Sequence, residues 1–227
     1  MMFSTNVTPN DLLFLAQGAG WTLLITAIAM VGGTVLGIVF GVVRATFPAW
    51  ATWPLGFILD IFRSVPLLIQ LILVNSFFPI LGLSVIPIVG WRVTPFFISC
   101  IVLSLYTSAY CAEIVRGGVL AVPQTTRRAA RSLGLTWWQD MTEIVYPMAL
   151  RVMLPSWIGL TLGVMKDTAL VGWIGVIELL KSSQILITRM QNEPLFILCI
   201  AGLIYFIISF PISRLGRRLE LRWREND

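Results

Sequence analysis

With 57% hydrophobic residues and only 12% charged ones, this 227-residue chain departs far from the roughly 25% charge of soluble domains. A mean hydropathy of +0.88 makes it a membrane protein. The chain has no histidine, which excludes histidine-based triads, HExxH metal sites and imidazole proton relays, and metal binding is not expected.

The stretch Met1–Asp11 contains no basic residue. It lacks the charged n-region of a cleavable signal peptide, so the first hydrophobic segment is expected to remain as an anchor. Crossing the hydrocarbon core takes about 20 apolar residues in a helix. The runs that meet this are Gly20–Val43, Pro54–Ile80, Pro95–Val115, Met148–Trp173 and Leu195–Pro211, giving five spans. Asp60, Arg63 and Pro66 interrupt the second; the proline breaks the hydrogen-bond ladder and predicts an entry helix followed by a kinked span. Gly33, Gly37 and Gly41 on the first span and Gly159 and Gly163 on the fourth form GxxxG spacings, which let helices approach closely in lipid and are common to membrane proteins of every function. Cys100, Cys111 and Cys199 fall in apolar runs and are expected as free core thiols.

The third span is polar over its second half. Tyr106, Tyr110 and Glu113 stand at i, i+4 and i+7 and share one face, which should point inward because lipid penalises Glu113. Glu113 and Arg116, at i and i+3, are expected to pair. The tyrosines serve packing or line a polar path.

Val119–Pro147 is the one long polar interval. Its charges include Arg127, Arg128, Arg131 and Asp140, and Ala129, Ala130, Leu133, Gly134, Trp137 and Trp138 recur at intervals of three and four. That spacing predicts one narrow stripe on an amphipathic helix, suited either to lying on the membrane or to docking in a groove of a soluble partner. Docking is the reading adopted.

In the fourth span, Lys166 stands about 16 Å along the helix from Pro155, near the middle of a core of about 30 Å. Lys166 and Asp167 point about 100° apart on a helix, so Asp167 or Thr168 is expected to cap a new helix beginning near Ala169. A helix broken there exposes backbone groups to protein or to a watery path; a structural ion pair or cap and a part in the substrate path are both consistent with it. Glu178 and Lys181 lie in an amphipathic piece, Val176–Ile187, read as a solvated surface helix with an outer gate helix as the alternative.

Placing the polar interval in the cytoplasm puts Arg44, Arg63, Arg116, Arg127, Arg128, Arg131, Arg151, Arg214, Arg217, Arg218, Arg222 and Arg224 on the inner side, against Arg92, Lys181 and Arg189 outside. The positive-inside rule then puts the N-terminus outside and the C-terminus in the cytoplasm. It also accounts for the net charge of +5 without nucleic acid, and the basic tail reads as an anchor to lipid headgroups. No GxxxxGK phosphate loop and no nucleophile–base motif occur, so neither ATP binding of that kind nor an enzyme is expected.

The polar interval resembles the EAA loop of ABC-importer permeases: Glu-Ala-Ala, three residues, Gly, nine residues, Ile, one residue, Leu-Pro. Ala129, Ala130, Gly134, Ile144 and Pro147 are in register with it, whereas Arg128 replaces the Glu and Tyr146 the Leu. Phe62–Asn75, Ala109–Gln124 and Lys166–Leu180 are similar, in order, to blocks of polar amino-acid permeases of the histidine, glutamine, glutamate and arginine type, and the resemblance runs from Gly18 to Arg218.

The resemblance implies an all-α membrane protein with the type I ABC-importer permease bundle, a single domain over 1–227 with its coupling loop at 119–147. It implies a second permease subunit, identical or related, two ATPase subunits that carry ATP and Mg, and a periplasmic or lipid-anchored solute-binding protein, all at a bacterial inner membrane. The chain itself would bind no cofactor and would pass a polar amino acid by alternating access; an amino-acid or solute channel without ATP coupling is the alternative. Arg127, Arg128, Ala129, Ala130, Arg131, Gly134 and Leu135 would couple to the ATPase, the small residues permitting close approach to a groove wall. Arg at position 128 implies either an acidic partner in that groove or a heteromeric pair whose other member supplies the acid. Ser64, Gln70, Tyr106, Tyr110, Glu113, Lys166, Asp167 and Thr168 are the expected substrate path.

Overall fold

Prolines set the start of several helices. In the computed structural model, which describes residues 7–81, 85–86, 91–190 and 194–224, Pro9, Pro95 and Pro194 stand first in α1 (Pro9–Thr46), α4 (Pro95–Ala121) and α9 (Pro194–Arg224), where a missing N–H costs nothing. Thr94 Oγ1 accepts from Phe97 N at 3.2 Å as a cap of α4. Thr8 donates its backbone N–H, at 2.9 Å, and its hydroxyl to Asp11 Oδ2, closing the first turn of α1.

The interrupted second span is two helices, α2 (Ala49–Ser64) and α3 (Leu67–Ile80), broken at Val65–Pro66 as expected, while Pro54 is carried inside α2. After α3 comes a two-residue antiparallel ladder, β1 (Val85–Ile86) on β2 (Trp91–Arg92). Beyond α4 follow α5 (Gln124–Ser132), α6 (Trp137–Gln139), a π-helical turn Asp140–Val145, α7 (Tyr146–Asp167), a 3-10 segment Thr168–Ile174 and α8 (Leu179–Met190). Among the described residues, four helical runs are long and apolar enough to cross a membrane, up to five when α2 and α3 count as one broken span. The five expected spans are therefore all helical. Residues 1–6 of the N-terminal stretch and 225–227 of the tail lie outside the described residues, as do the side chains of Arg92, Arg222 and Arg224.

The chain divides into two units. The first holds Met1–Ala29, Val65–Leu103 and Gly163–Pro211; its core is Leu15, Ala19, Leu179, Leu186, Ile197 and Ala201, and α3 packs on the 3-10 segment. Gly18 faces Ser182 so closely that a Cβ there would stand 2.4 Å from the hydroxyl oxygen. The second holds Met30–Ser64, Ser104–Leu162 and Ile212–Asp227, with cores around Cys111, Val115, Val119, Val145 and Ala149 and around Leu59, Ala109 and Ala112. Here the first GxxxG row does what its spacing predicts: a Cβ on Gly33 or Gly37 would lie 2.5 Å from Thr107 or Cys111 of α4, and one on Gly41 2.6 Å from the Ala112 carbonyl. The second row does not. Gly159 and Gly163 have nothing within 4 Å of an added Cβ. Cys100 and Cys111 are buried, but Cys199 is exposed on α9, contrary to the core-thiol expectation.

Candidate functional site

The polar interval is not one helix. α5 ends at Ser132, and Gly134 takes φ +83°, the left-handed conformation that glycine adopts without a Cβ penalty. Gly134 N donates to Arg131 O at 3.0 Å and Leu135 N to Ala130 O at 3.3 Å, the paired bonds of a Schellman C-cap. Thr136 then opens the next helix with a capping box: Gln139 N donates to Thr136 Oγ1 at 3.4 Å, and Thr136 N donates to Gln139 Oε1 at 2.9 Å. The three-and-four spacing of small and apolar residues is real, but this corner interrupts the stripe.

Burial divides that stripe as well. Only Ala130 turns into the protein, while Ala129 and Gly134 are exposed, Leu133 is 82% exposed and Trp138 72%. Trp137 and Trp138 stand edge to face, 4.6 Å between ring centroids. Gly134 serves the backbone turn, and a Cβ there would meet nothing of this chain within 4 Å.

The corner is fastened from behind by a pair 13 residues apart. Arg127 Nε and Nη2 both donate to Asp140 Oδ2 at 3.1 Å, and Arg131 Nη2 lies 3.9 Å from the same oxygen. Asp140 is wholly buried. Arg128 is exposed; its carbonyl accepts from Ser132 Oγ at 3.0 Å, and among the described residues it joins no ion pair. Arg127 thus spends its charge inside the chain, while Arg128 and Arg131, the latter 59% exposed, are the outward arginines of α5.

On α4 the expected face forms. Tyr106 and Tyr110 are 4.8 Å apart between centroids, Tyr110 Oη donates to Arg63 O at 3.5 Å, and the Arg63 guanidinium lies 5.7 Å from the Tyr110 ring. Glu113 takes the predicted bond from Arg116, whose Nε is 3.0 Å away and whose Nη2 also donates. It further accepts from Arg44 at 3.1 Å and lies 3.7 Å from Arg63, which reaches Asp60 at 3.4 Å. The pair read from the sequence is one edge of a cluster of three guanidiniums and two carboxylates. All these groups are half-buried or exposed.

The first unit holds the other polar set. α7 gives way to 3-10 winding at Thr168, so the break falls where it was expected. The cap does not: Asp167 makes no side-chain cap, and Thr168 Oγ1 donates back to Met165 O at 2.7 Å. Lys166 is exposed and Asp167 half-buried, and among the described residues no ion pair joins them. Gln70 on α3 donates Nε2 to Val65 O at 2.7 Å, bridging the Pro66 break; Ser64, exposed at the end of α2, belongs to the other unit.

Glu178 overturns the solvated-helix reading. It is 0% exposed and caps α8, accepting from Leu180 N at 2.8 Å, Lys181 N at 2.7 Å and Tyr205 Oη at 3.2 Å. Burial pushes its carboxyl above the ordinary glutamate range, against the opposing pull of the Leu180 and Lys181 amides, the Tyr205 hydroxyl and the Lys181 charge. A cavity of about 170 Å³ adjoins it, lined also by Lys181 and Gln184.

The family of binding-protein-dependent transport system inner membrane components matches residues 33–225. The chain is 31% identical, over 99% of both sequences, to the glutamine transport system permease protein GlnP of Escherichia coli (strain K12). It is 30% identical to the probable amino-acid ABC transporter permease protein YckA of Bacillus subtilis (strain 168), over 98% of this chain and 94% of that one. The fold is similar to the crystal structure of an amino acid ABC transporter with histidines, at TM-score 0.81 and 25% identity over 96% of this chain and 100% of the other. The expected fold class therefore holds: an all-helical type I ABC-importer permease. A match that takes in the α5–α6 corner, the cluster around Glu113 and the break at Thr168 places the chain in the family of inner membrane components of binding-protein-dependent transport systems.

Proposed function

We propose that the chain imports a polar amino acid across a bacterial inner membrane, as one of two permease subunits driven by two ATPases and supplied by a solute-binding protein. ATP and Mg belong to the ATPases, and residues 1–227 act as one permease domain. The N-terminus faces outward and the C-terminus the cytoplasm. Support for that orientation comes from charge: every basic residue except Arg92, Lys166, Lys181 and Arg189 belongs to the second unit, and cytoplasmic segments carry the excess of Lys and Arg.

The observation that carries the reading is the α5–α6 corner. It holds Ala129, Leu133 and Trp138 in the open beside Arg128, on a helix tied back by Arg127 and Asp140. Ala130, Arg131 and Leu135 complete the coupling set, with Gly134 as its hinge residue. An apolar and basic surface on a braced helix fits a socket in a soluble motor. Closure of the ATPases then favours one permease state through a difference in binding free energy, and the substrate passes by alternating access. Tyr106, Tyr110, Glu113 and Ser64 in one unit and Gln70, Lys166, Asp167 and Thr168 in the other are the groups it would meet.

The test is reconstitution of the chain with its partner permease, ATPase and solute-binding protein in proteoliposomes. Uptake should require ATP; uptake persisting without the ATPase would mark a channel. Lys166→Ala should reduce uptake more than assembly, because Lys166 is exposed in this chain, and equal losses would assign it a structural role.

A further inference from the structure

The second unit contains a cavity of about 410 Å³ at the elbow between α1 and α2, with Arg44, Arg116, Asp60, Gly56, Trp53 and Phe57 in its wall. Three features give it a chemical character. The first is position. Arg44 is the first charged residue after Asp11, so the apolar run of α1 ends where the cavity begins, and the elbow lies where a span meets the headgroup layer.

The second is charge. Arg44 and Arg116 both bond to Glu113, with Arg63 close by at 3.7 Å. Three guanidiniums face Glu113 and Asp60, which leaves one positive charge over and many more N–H donors than two carboxylates can accept. Arg44 is held by Nη1, while its Nε and Nη2 lie against Gly56, 3.5 and 3.4 Å from where a Cβ would be. The guanidinium thus lies within ordinary van der Waals reach of a side chain at that point, packed along α2 in the cavity wall.

The third is the rim. Trp53 and Phe57 are stacked at 5.7 Å, Trp53 is 68% exposed and Phe57 56%, and the neighbouring Trp50 and Phe47 are exposed as well. Exposed aromatic rings beside a basic cavity at the end of a span are the arrangement of an interfacial belt.

We propose that this cavity seats the phosphodiester of an anionic phospholipid, with the two arginines on the phosphate and the acyl chains against Trp53 and Phe57. A phosphodiester carries a single negative charge and matches the single surplus positive charge. A free phosphate dianion would meet Asp60 with more charge and would leave the aromatic rim unused. The site is separate from the α5–α6 corner and does not depend on the identity of the transported solute.

The test uses the full-length chain in detergent, titrated with phosphatidylglycerol and, in parallel, with phosphatidylcholine, the bound lipid being counted by native mass spectrometry. Ala49 lines the cavity and is the first, exposed residue of α2, where an acid suits the helix N-terminus. Ala49→Glu therefore adds a negative charge while leaving every ion pair in place. It should weaken phosphatidylglycerol binding about fivefold, with an unchanged elution volume and melting temperature. Arg116→Gln should weaken it too, whereas Arg218→Gln, on the exposed side of α9, should leave it as it is. Unchanged affinity in Ala49→Glu overturns the proposal, and so does an equal loss in Arg218→Gln, which would mean diffuse attraction to the basic tail. Equal binding of phosphatidylcholine, or displacement of the lipid by inorganic phosphate at matched concentration, overturns the anionic-lipid assignment.

Discussion

Replacing Gly134 with alanine asks what the glycine of the coupling corner is for. Its φ of +83° lies in the left-handed region, which costs a residue with a Cβ roughly 1–2 kcal/mol. The added methyl touches nothing, since no atom lies within 4 Å of it; the penalty is backbone strain alone. It acts on a turn closed by two hydrogen bonds, of 3.0 and 3.3 Å, each contributing about 1 kcal/mol net. The corner should therefore still form but open roughly 5 to 30 times more often. Asparagine enters the left-handed region more easily than alanine, so Gly134→Asn should recover most of the loss. Gly134→Asp has nearly the shape of the asparagine variant but brings a charge to the proposed docking surface. Amide hydrogen exchange across Leu133–Thr136 reads the strain, and co-purification with the ATPase reads the docking. Exchange should rise in the order Gly, Asn, Ala, and ATPase binding should survive Asn and weaken with Asp. Alanine exchanging like the wild type would refute the role of the left-handed turn; an aspartate variant that binds the ATPase and transports like the asparagine one would refute the docking surface.

Asp140→Asn should loosen the corner by about 2–3 kcal/mol, below the 3–5 kcal/mol of a fully buried pair, because the Arg127 side chain stays 20% exposed; a double-mutant cycle with Arg127→Met in thermal melts should show strong coupling between the two positions. Gly37→Val should destabilise the chain by about 1–3 kcal/mol through overpacking, as its Cβ would lie 2.5 Å from that of Cys111, while Gly159→Val, with nothing within 4 Å, should leave the melting temperature of the isolated chain unchanged. Because the Glu178 carboxyl is raised in the folded state, folding favours its protonated form: its stabilising contribution is complete below the ordinary glutamate value of about 4.3 and is lost as pH rises through the raised one. Glu178→Gln should flatten that part of the stability–pH curve, as followed by melting temperature between acidic and neutral pH.

What was legible in the sequence was set by local rules. The spans followed from apolar run length, the break at Pro66 from a missing N–H, and the Glu113–Arg116 pair from helical spacing. Gly33, Gly37 and Gly41 mark the packed row because small residues recur on one helical face. The corner at Gly134 was equally local, signalled by a glycine after the last turn and by Thr136 and Gln139 at capping-box spacing, but a periodic stripe that continued through it concealed the signal. Other features depend on which distant elements meet. Asp140 is 13 residues from Arg127, and Arg44 is 69 from Glu113, separations at which no helical period operates. Glu178 beside Lys181 has the charge pattern of a wet helix; it is buried because Tyr205 of α9 covers the cap. Gly159 and Gly163 repeat the signature of Gly33 and Gly37, yet only the first pair meets a neighbour within the chain.

The wide turn from Asp140 to Val145 has a consequence of its own. Winding of that kind takes up about one residue more than an α turn, so the side chains ahead of it are offset by roughly 100° from where unbroken α winding would aim them. The bearing of Trp137 and Trp138 is thus encoded in a count of residues more than in their chemistry. Point changes within 141–145, which spare the Arg127–Asp140 tie, would leave the corner facing the same way. Loss of a single residue there would swing it a quarter-turn and more, and a socket cut for the original bearing would no longer receive it.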